Sequence, residues 1–247
     1  MDDVRRNWTR AARRESVAAG PSPIPVVIAD PAQDPVGTVL LIHGRNGAPD
    51  QPQIAEIANA YLARGWRVAA PELPHSAALP ASGPPDRLSI DGHWRTAGQV
   101  LAWTRGAFPG TVAITGHSIG GFATAMLSCD PSLHHLLAVS PVLTGQRLLA
   151  ARRAMGPQAM AELERDAPQY RAELDVADAT ATLKSATPPA AVVTGAEDGI
   201  VTLDHARAWF DAAPNARFFG SLPGQHHCPD GPDCAAMLAA ALMAVGA

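Results

Sequence analysis

From about Val36 onward, short apolar runs alternate with longer stretches in which apolar residues recur every three or four positions. That alternation predicts an α/β architecture, a mostly parallel sheet flanked by helices. Strands are expected at residues 36–43, 66–70, 111–115, 136–140, 190–194 and 216–219. They are nearly continuous in apolar side chains, as strands buried on both faces are. Residues 26–28, framed by Pro23, Pro25 and Pro31, suit an edge strand, because proline donates nothing to a central ladder.

Helices fill the intervals. In 53–63, Ile54, Ile57, Ala58, Tyr61 and Leu62 form one stripe, and Gly65 ends it. Residues 94–105 repeat the stripe with Ala97, Val100, Leu101 and Thr104, and a last helix is expected from an Asp233 N-cap to Val245. Residues 142–188, after the strand ending near Ser140, are too many for an ordinary crossover. They read as a small inserted helical cap or lid, with helix over 146–166, a break at Pro168 and more helix over 169–184. A long crossover helix carrying an ornament is the alternative.

The length of 247 residues suits a single domain, 1–247, with 1–23 as an N-terminal extension. Such a fold hides roughly 70–75% of the unfolded chain's surface, so one core suffices without staples. The arginines at 5, 6, 10, 13 and 14 are diluted by Asp2, Asp3 and Glu15 and read as a solvated terminal segment. A net charge of −4 offers no footprint for a phosphate backbone, which argues against nucleic acid. The longest apolar stretch, 235–245, would extend about 16 Å as a helix, roughly half a bilayer core, so no membrane partner is expected. Three cysteines make no disulfide framework, and a cytoplasmic monomer or homodimer is the expectation. Cys129 reads as core, and His134 and His135 as surface positions ahead of a strand.

The candidate chemistry begins where the 111–115 strand meets Gly116-His117-Ser118-Ile119-Gly120-Gly121, with a helical pattern over 122–128 directly after. This is G-x-S-x-G between strand and helix. A serine at the apex of so sharp a turn is strained and exposed above the sheet, and the glycines let strand and helix approach. The Ile119 N–H then lies at a helix N-terminus, where amide donors are unpaired and negative charge is favoured. An earlier strand ends in Leu40-Leu41-Ile42-His43-Gly44, which brings the Arg45 N–H forward as the second donor of an oxyanion hole. The Arg45 side chain either anchors a substrate carboxylate or points to solvent. His75, on the loop after a strand, is a candidate substrate contact. His43 and His117 suit packing or supporting hydrogen bonds.

From Val36 to its end the chain resembles the α/β-hydrolase superfamily, and it is similar to small bacterial carboxylesterases and dienelactone-hydrolase-like members. The resemblance implies an acid after a later strand and a histidine after the last one. Val193-Thr194-Gly195-Ala196-Glu197-Asp198 resembles the family's strand and G-x-x-D turn, which implies Asp198 as the acid, with Glu197 its neighbouring rival. Leu222-Pro223-Gly224-Gln225-His226-His227 resembles the P-G-x-x-H loop and favours His227 over His226. Dienelactone hydrolases proper carry cysteine at the elbow where this chain has Ser118.

These readings converge on a serine hydrolase that cleaves carboxylic esters of small to medium size through an acyl-enzyme. His227 would take the Ser118 proton and Asp198 would orient the imidazole. No cofactor or metal is needed, and the H-H-C-x5-C run through Cys228 and Cys234 lacks the spacing of structural zinc motifs. Whether those two cysteines pair stays open. The alternatives are a thioesterase or acyltransferase with the same three residues, or a non-catalytic ligand-binding member.

Overall fold

The structure, a computed structural model, describes residues 8–10, 12–19 and 22–247. Eight strands form one sheet: β1 (Arg13–Ala19), β2 (Ser22–Ala29), β3 (Gly37–Ile42), β4 (Trp66–Pro71), β5 (Val112–His117), β6 (Leu133–Val139), β7 (Ala190–Gly195) and β8 (Ala216–Leu222). Their spatial order is β1-β2-β4-β3-β5-β6-β7-β8. Only β2 runs antiparallel to its neighbours. From β3 the chain moves outward to β4 and then crosses back to β5 on the other side. The switch point of the sheet therefore lies between β3 and β5, where crevices form beyond the carboxyl ends of the strands.

Each central strand buries both faces. Leu40, Ile42, Ile114, Leu136 and Val192 join the core under α2 (Ile90–Ala107), α3 (Ile119–Leu127) and α8 (Leu203–Ala212). Val39, Leu41, Ala113, Leu137 and Val193 join the core under α1 (Pro52–Leu62) and α9 (Gly231–Ala244). Adjacent residues enter opposite cores, so the runs are apolar throughout although the side chains alternate. The expected stripes are buried, Ile54, Ile57, Ala58 and Tyr61 on α1 and Ala97, Val100, Leu101 and Thr104 on α2. The latter helix starts earlier than its stripe, at a Ser89 cap whose hydroxyl accepts the Gly92 N–H.

Several expectations are corrected. Residues 13–19, read as part of a solvated extension, form edge strand β1; its arginines pair outward, Arg13 with Asp30 and Arg14 with Glu72, while Val17 turns into the core. Charge along an edge strand discourages further pairing, and it also masks the strand in the sequence. Arg5 and Arg6 lie outside the described residues. β2 is second from the edge; its proline-bearing half pairs with β1 alone, and only Val26, Val27 and Ile28 pair on both sides. α8 fills a stretch for which no helix was expected, with a Thr202 cap and buried His205, Ala206, Trp209 and Ala212. The last helix is capped at Asp230 rather than Asp233. His135 lies inside β6, fully buried, with the Tyr61 hydroxyl 2.8 Å from its Nε2.

Residues 142–188 hold four short helices, α4 (Gly145–Ala154), α5 (Pro157–Asp166), α6 (Pro168–Glu173) and α7 (Thr180–Lys184). The expected 146–166 helix is broken at Gly156, whose φ of +103° is open to glycine and strained for other residues. The base of this helical segment is closed by Gly145 N–H to Ala177 O and Ala179 N–H to Leu143 O. Glu173 ties it to the body by accepting from Ser89 Oγ at 2.8 Å and from the Ile90 N–H at 2.6 Å.

Candidate active site

β5 delivers Ser118 at its carboxyl end with φ 58° and ψ −119°, in the left-handed region that costs a non-glycine residue strain. Three main-chain hydrogen bonds hold it there. The Ser118 N–H donates to Val139 O at 3.0 Å, and its carbonyl accepts from Gly121 at 2.9 Å and Val142 at 3.0 Å. Close approach explains the glycines. A Cβ on Gly116 would sit 2.1 Å from Gly120 O, and one on Gly120 would sit 2.1 Å from Ile42 O.

The turn after β7 and the loop after β8 bring two more side chains to this point. His227 Nε2 lies 3.0 Å from Ser118 Oγ, and its Nδ1 lies 2.8 Å from Asp198 Oδ2. The other carboxylate oxygen of Asp198 accepts the N–H groups of Ile200 at 2.8 Å and Val201 at 2.9 Å. Burial is the largest single influence on Asp198 and raises its pKa; the hydrogen bond and charge of His227, with the two amides, together outweigh it and lower the pKa. An ionised Asp198 can only accept, so the His227 proton sits on Nδ1 and Nε2 offers a lone pair to the serine hydroxyl.

The loop after β3 lies against the same serine: a Cβ on Gly44 would be 3.0 Å from Ser118 Cβ. Three side chains hold this loop. His43 Nδ1 donates to Gly44 O at 2.7 Å, while its Nε2 accepts the Leu73 N–H at 3.0 Å. His93 Nε2 donates to His43 O at 3.0 Å, and Ser76 Oγ donates to Gly47 O at 2.6 Å. Burial lowers the pKa of His43 to about 4 and that of His93 to about 3, so both are neutral hydrogen-bonding parts of the scaffold. Among the described residues, neither the Arg45 N–H nor the Ile119 N–H has a hydrogen-bond partner. Two free amides beside a nucleophile can stabilise an oxyanion.

A cavity of about 170 Å³ opens over Ser118 and His227. Arg45 borders it from the β3 loop, and Leu148, Arg152, Leu163 and Tyr170 border it from α4, α5 and α6. It has room for a small ligand.

Residues 102–217 match the prolyl oligopeptidase family, a stretch that includes Ser118 and Asp198 and ends before His227. Among curated proteins none matches the chain. Among solved structures, Est1E from Butyrivibrio proteoclasticus with ferulic acid bound aligns at a TM-score of 0.75 and 14% identity, over 94% of this chain and 100% of its own. A Xanthomonas campestris member of the α/β serine hydrolases without lid aligns at 0.67 and 14% identity, over 94% of each chain. The chain has the α/β-hydrolase fold.

On this α/β-hydrolase fold Ser118, Asp198 and His227 come together, and their rivals do not. His226 is exposed, with Nδ1 2.9 Å from the Glu197 carbonyl. Glu197 is exposed and accepts the Gly224 N–H. His75 does not border this cavity, and its Nδ1 lies 3.0 Å from the Pro84 carbonyl oxygen. Cys129 is exposed rather than core, and Cys228 and Cys234 are both free thiols. Arg152, Tyr170 and His93 were not among the sequence candidates. For Arg152 the signal is its place one turn after Leu148, on the inward face of α4; for His93 there is none, because its partner stands on another element.

Proposed function

We propose that the protein is a serine hydrolase that cleaves carboxylic esters of small substrates through an acyl-enzyme on Ser118. The observation that carries this reading is the continuous hydrogen-bond path from Asp198 through His227 to Ser118 Oγ at the floor of a cavity. As Oγ attacks the ester carbonyl, its proton passes to His227 Nε2, and the negative charge gathers on the carbonyl oxygen facing the Arg45 and Ile119 amides. Each such donor stabilises that charge by about 3 to 4 kcal/mol. Collapse of the tetrahedral adduct breaks the bond to the alcohol oxygen, which leaves with the proton from Nε2. Water then attacks the acyl-serine, gives a proton to Nε2, and the acid departs as Oγ takes that proton back. Asp198 holds the ring and balances its transient positive charge throughout.

The cavity favours short acyl groups over a peptide chain, although the matched family is named for peptidases. The test pairs a fluorophosphonate probe with p-nitrophenyl esters, thioesters and peptide p-nitroanilides of rising size, with Ser118→Ala as blank. Labelling lost in Ser118→Ala and turnover of short esters are expected. Labelling that survives the substitution sinks the reading, thioester turnover alone moves it to a thioesterase, and unlabelled wild-type protein leaves a binding member of the fold.

A further inference from the structure

The cavity over Ser118 is positively charged in a chain of net charge −4. Arg45 and Arg152 both border it, and no Asp or Glu among the described residues does. The two side chains come from different elements, one from the loop after β3 and one from α4. Tyr170 of α6 borders the same cavity, its ring centroid 5.8 Å from the Arg45 guanidinium. Neither arginine forms an ion pair among the described residues, in contrast to Arg13, Arg67, Arg105 and Arg171.

Such a pair is costly when empty. Burial first, and then the charge of Arg45, lowers the Arg152 pKa. Tyr170 and Glu162 act in the opposite sense without outweighing them, and Glu162 also accepts a hydrogen bond from Gln158 Nε2 at 3.0 Å. Two like charges facing one partly desolvated space repel, and an anion between them relieves both the repulsion and the lost hydration. Guanidinium forks also match a planar carboxylate in geometry.

We infer that the Ser118 cavity takes small esters that also carry a carboxylate, held between Arg45 and Arg152 while the ester carbonyl lies at Ser118. This rests on the serine-hydrolase reading for the ester half and on the two arginines for the acid half. Arg45 then has two separate tasks, its amide toward the oxyanion and its side chain toward the substrate's far end. Monoesters of short dicarboxylic acids are the simplest compounds that carry both groups.

The experiment uses the full chain in two arms. In the first, Ser118→Ala protein is titrated calorimetrically with monomethyl glutarate and with dimethyl glutarate, which differ in the charge at one end. In the second, wild-type protein, Arg152→Met and Arg45→Met are compared by the ratio of kcat/KM for p-nitrophenyl hemiglutarate over p-nitrophenyl valerate. Tenfold or tighter binding of the monoester is expected, with a kinetic ratio above ten that falls at least tenfold in each arginine variant and declines with added salt. Equal binding of the two glutarates overturns the inference, and so does a kinetic ratio that neither variant moves. Preferential binding of the monoester by a protein whose Ser118 takes no fluorophosphonate label overturns the serine-hydrolase reading and leaves the anion site standing.

Discussion

The Nε2–H of His117 donates to the main-chain oxygen of His227 across 2.8 Å. The residue before the serine therefore holds the loop of the histidine that the serine faces, 110 positions later in the chain. Burial first, then the neighbouring His227, lowers the His117 pKa to about 3, so this donor stays a neutral imidazole across the working pH range. His117→Phe keeps a ring and loses the donor. It is expected to reduce kcat/KM for a short p-nitrophenyl ester about 100-fold by misplacing His227, while His117→Gln, which retains an N–H, recovers part of the loss. Equal rates for all three proteins would refute the positioning role.

Asp198→Asn preserves the shape of the side chain and removes the charge that fixes the His227 tautomer. A drop in kcat of about 10³ to 10⁴ is expected. His226→Ala, at the exposed neighbour, should change kcat/KM less than about threefold, so steady-state kinetics of the two variants separates the rival histidines and acids in one experiment.

Five histidines are buried and held neutral, His43 and His205 with pKa lowered to about 4 and His93, His117 and His135 with pKa lowered to about 3. The unfolded chain binds these protons near pH 6.5, so their contribution to stability is complete above that value and is lost as pH falls toward 4 and then 3. Each costs up to about 1.4 kcal/mol per pH unit in that window. Thermal unfolding should show Tm lower by about 10 °C or more at pH 5 than at pH 7.5. A flat Tm between these values would contradict the neutral assignments.

Glu173 fills the role of a cap supplied from outside the helix it caps, since its carboxylate takes the Ile90 N–H and the Ser89 hydroxyl at the start of α2. Glu173→Ala should lower stability by about 1 to 2 kcal/mol in urea unfolding. It should also speed proteolysis within residues 145–184, because the insertion loses its tie to α2. Unchanged cleavage would mean that the insertion is held by its apolar contacts alone.

Gly120→Ala places a Cβ against the Ile42 carbonyl, a backbone atom with little room to move. A loss of about 3 kcal/mol or more is expected, read as a fall in Tm or in soluble yield. Gly106 is the control, since a Cβ there would meet nothing within 4 Å; Gly106→Ala within α2 should be neutral or stabilising.

Much of the α/β-hydrolase fold was legible because its signals are local. Apolar runs such as Val39–Ile42, stripes such as Ile54 to Tyr61, and the G-x-S-x-G turn are written in adjacent residues, and the physics that shapes them acts over one strand or one helical turn. The order Ser118, Asp198, His227 could be proposed because the turns after two later strands resemble the superfamily's acid and histidine loops. What stayed illegible was held by partners far away in the chain. Arg13 and Arg14 look like a solvated terminus until Asp30 and Glu72 pair with them on a sheet edge, and His135 looks exposed until Tyr61 covers it.

The P-G-x-x-H resemblance favoured His227 over His226, but the facing of the two rings belongs to the tertiary structure. His227 meets Asp198 while His226 is exposed, where the β7 turn packs so closely that a Cβ on Gly195 would meet His226 O at 2.1 Å. The same holds for the cavity's charge. Residue order by itself determined the central strands and the serine turn between strand and helix; the meeting of Arg45 with Arg152 at one cavity was decided by how residues 145–173 fold back over the sheet, because charge acts through space and not along the chain.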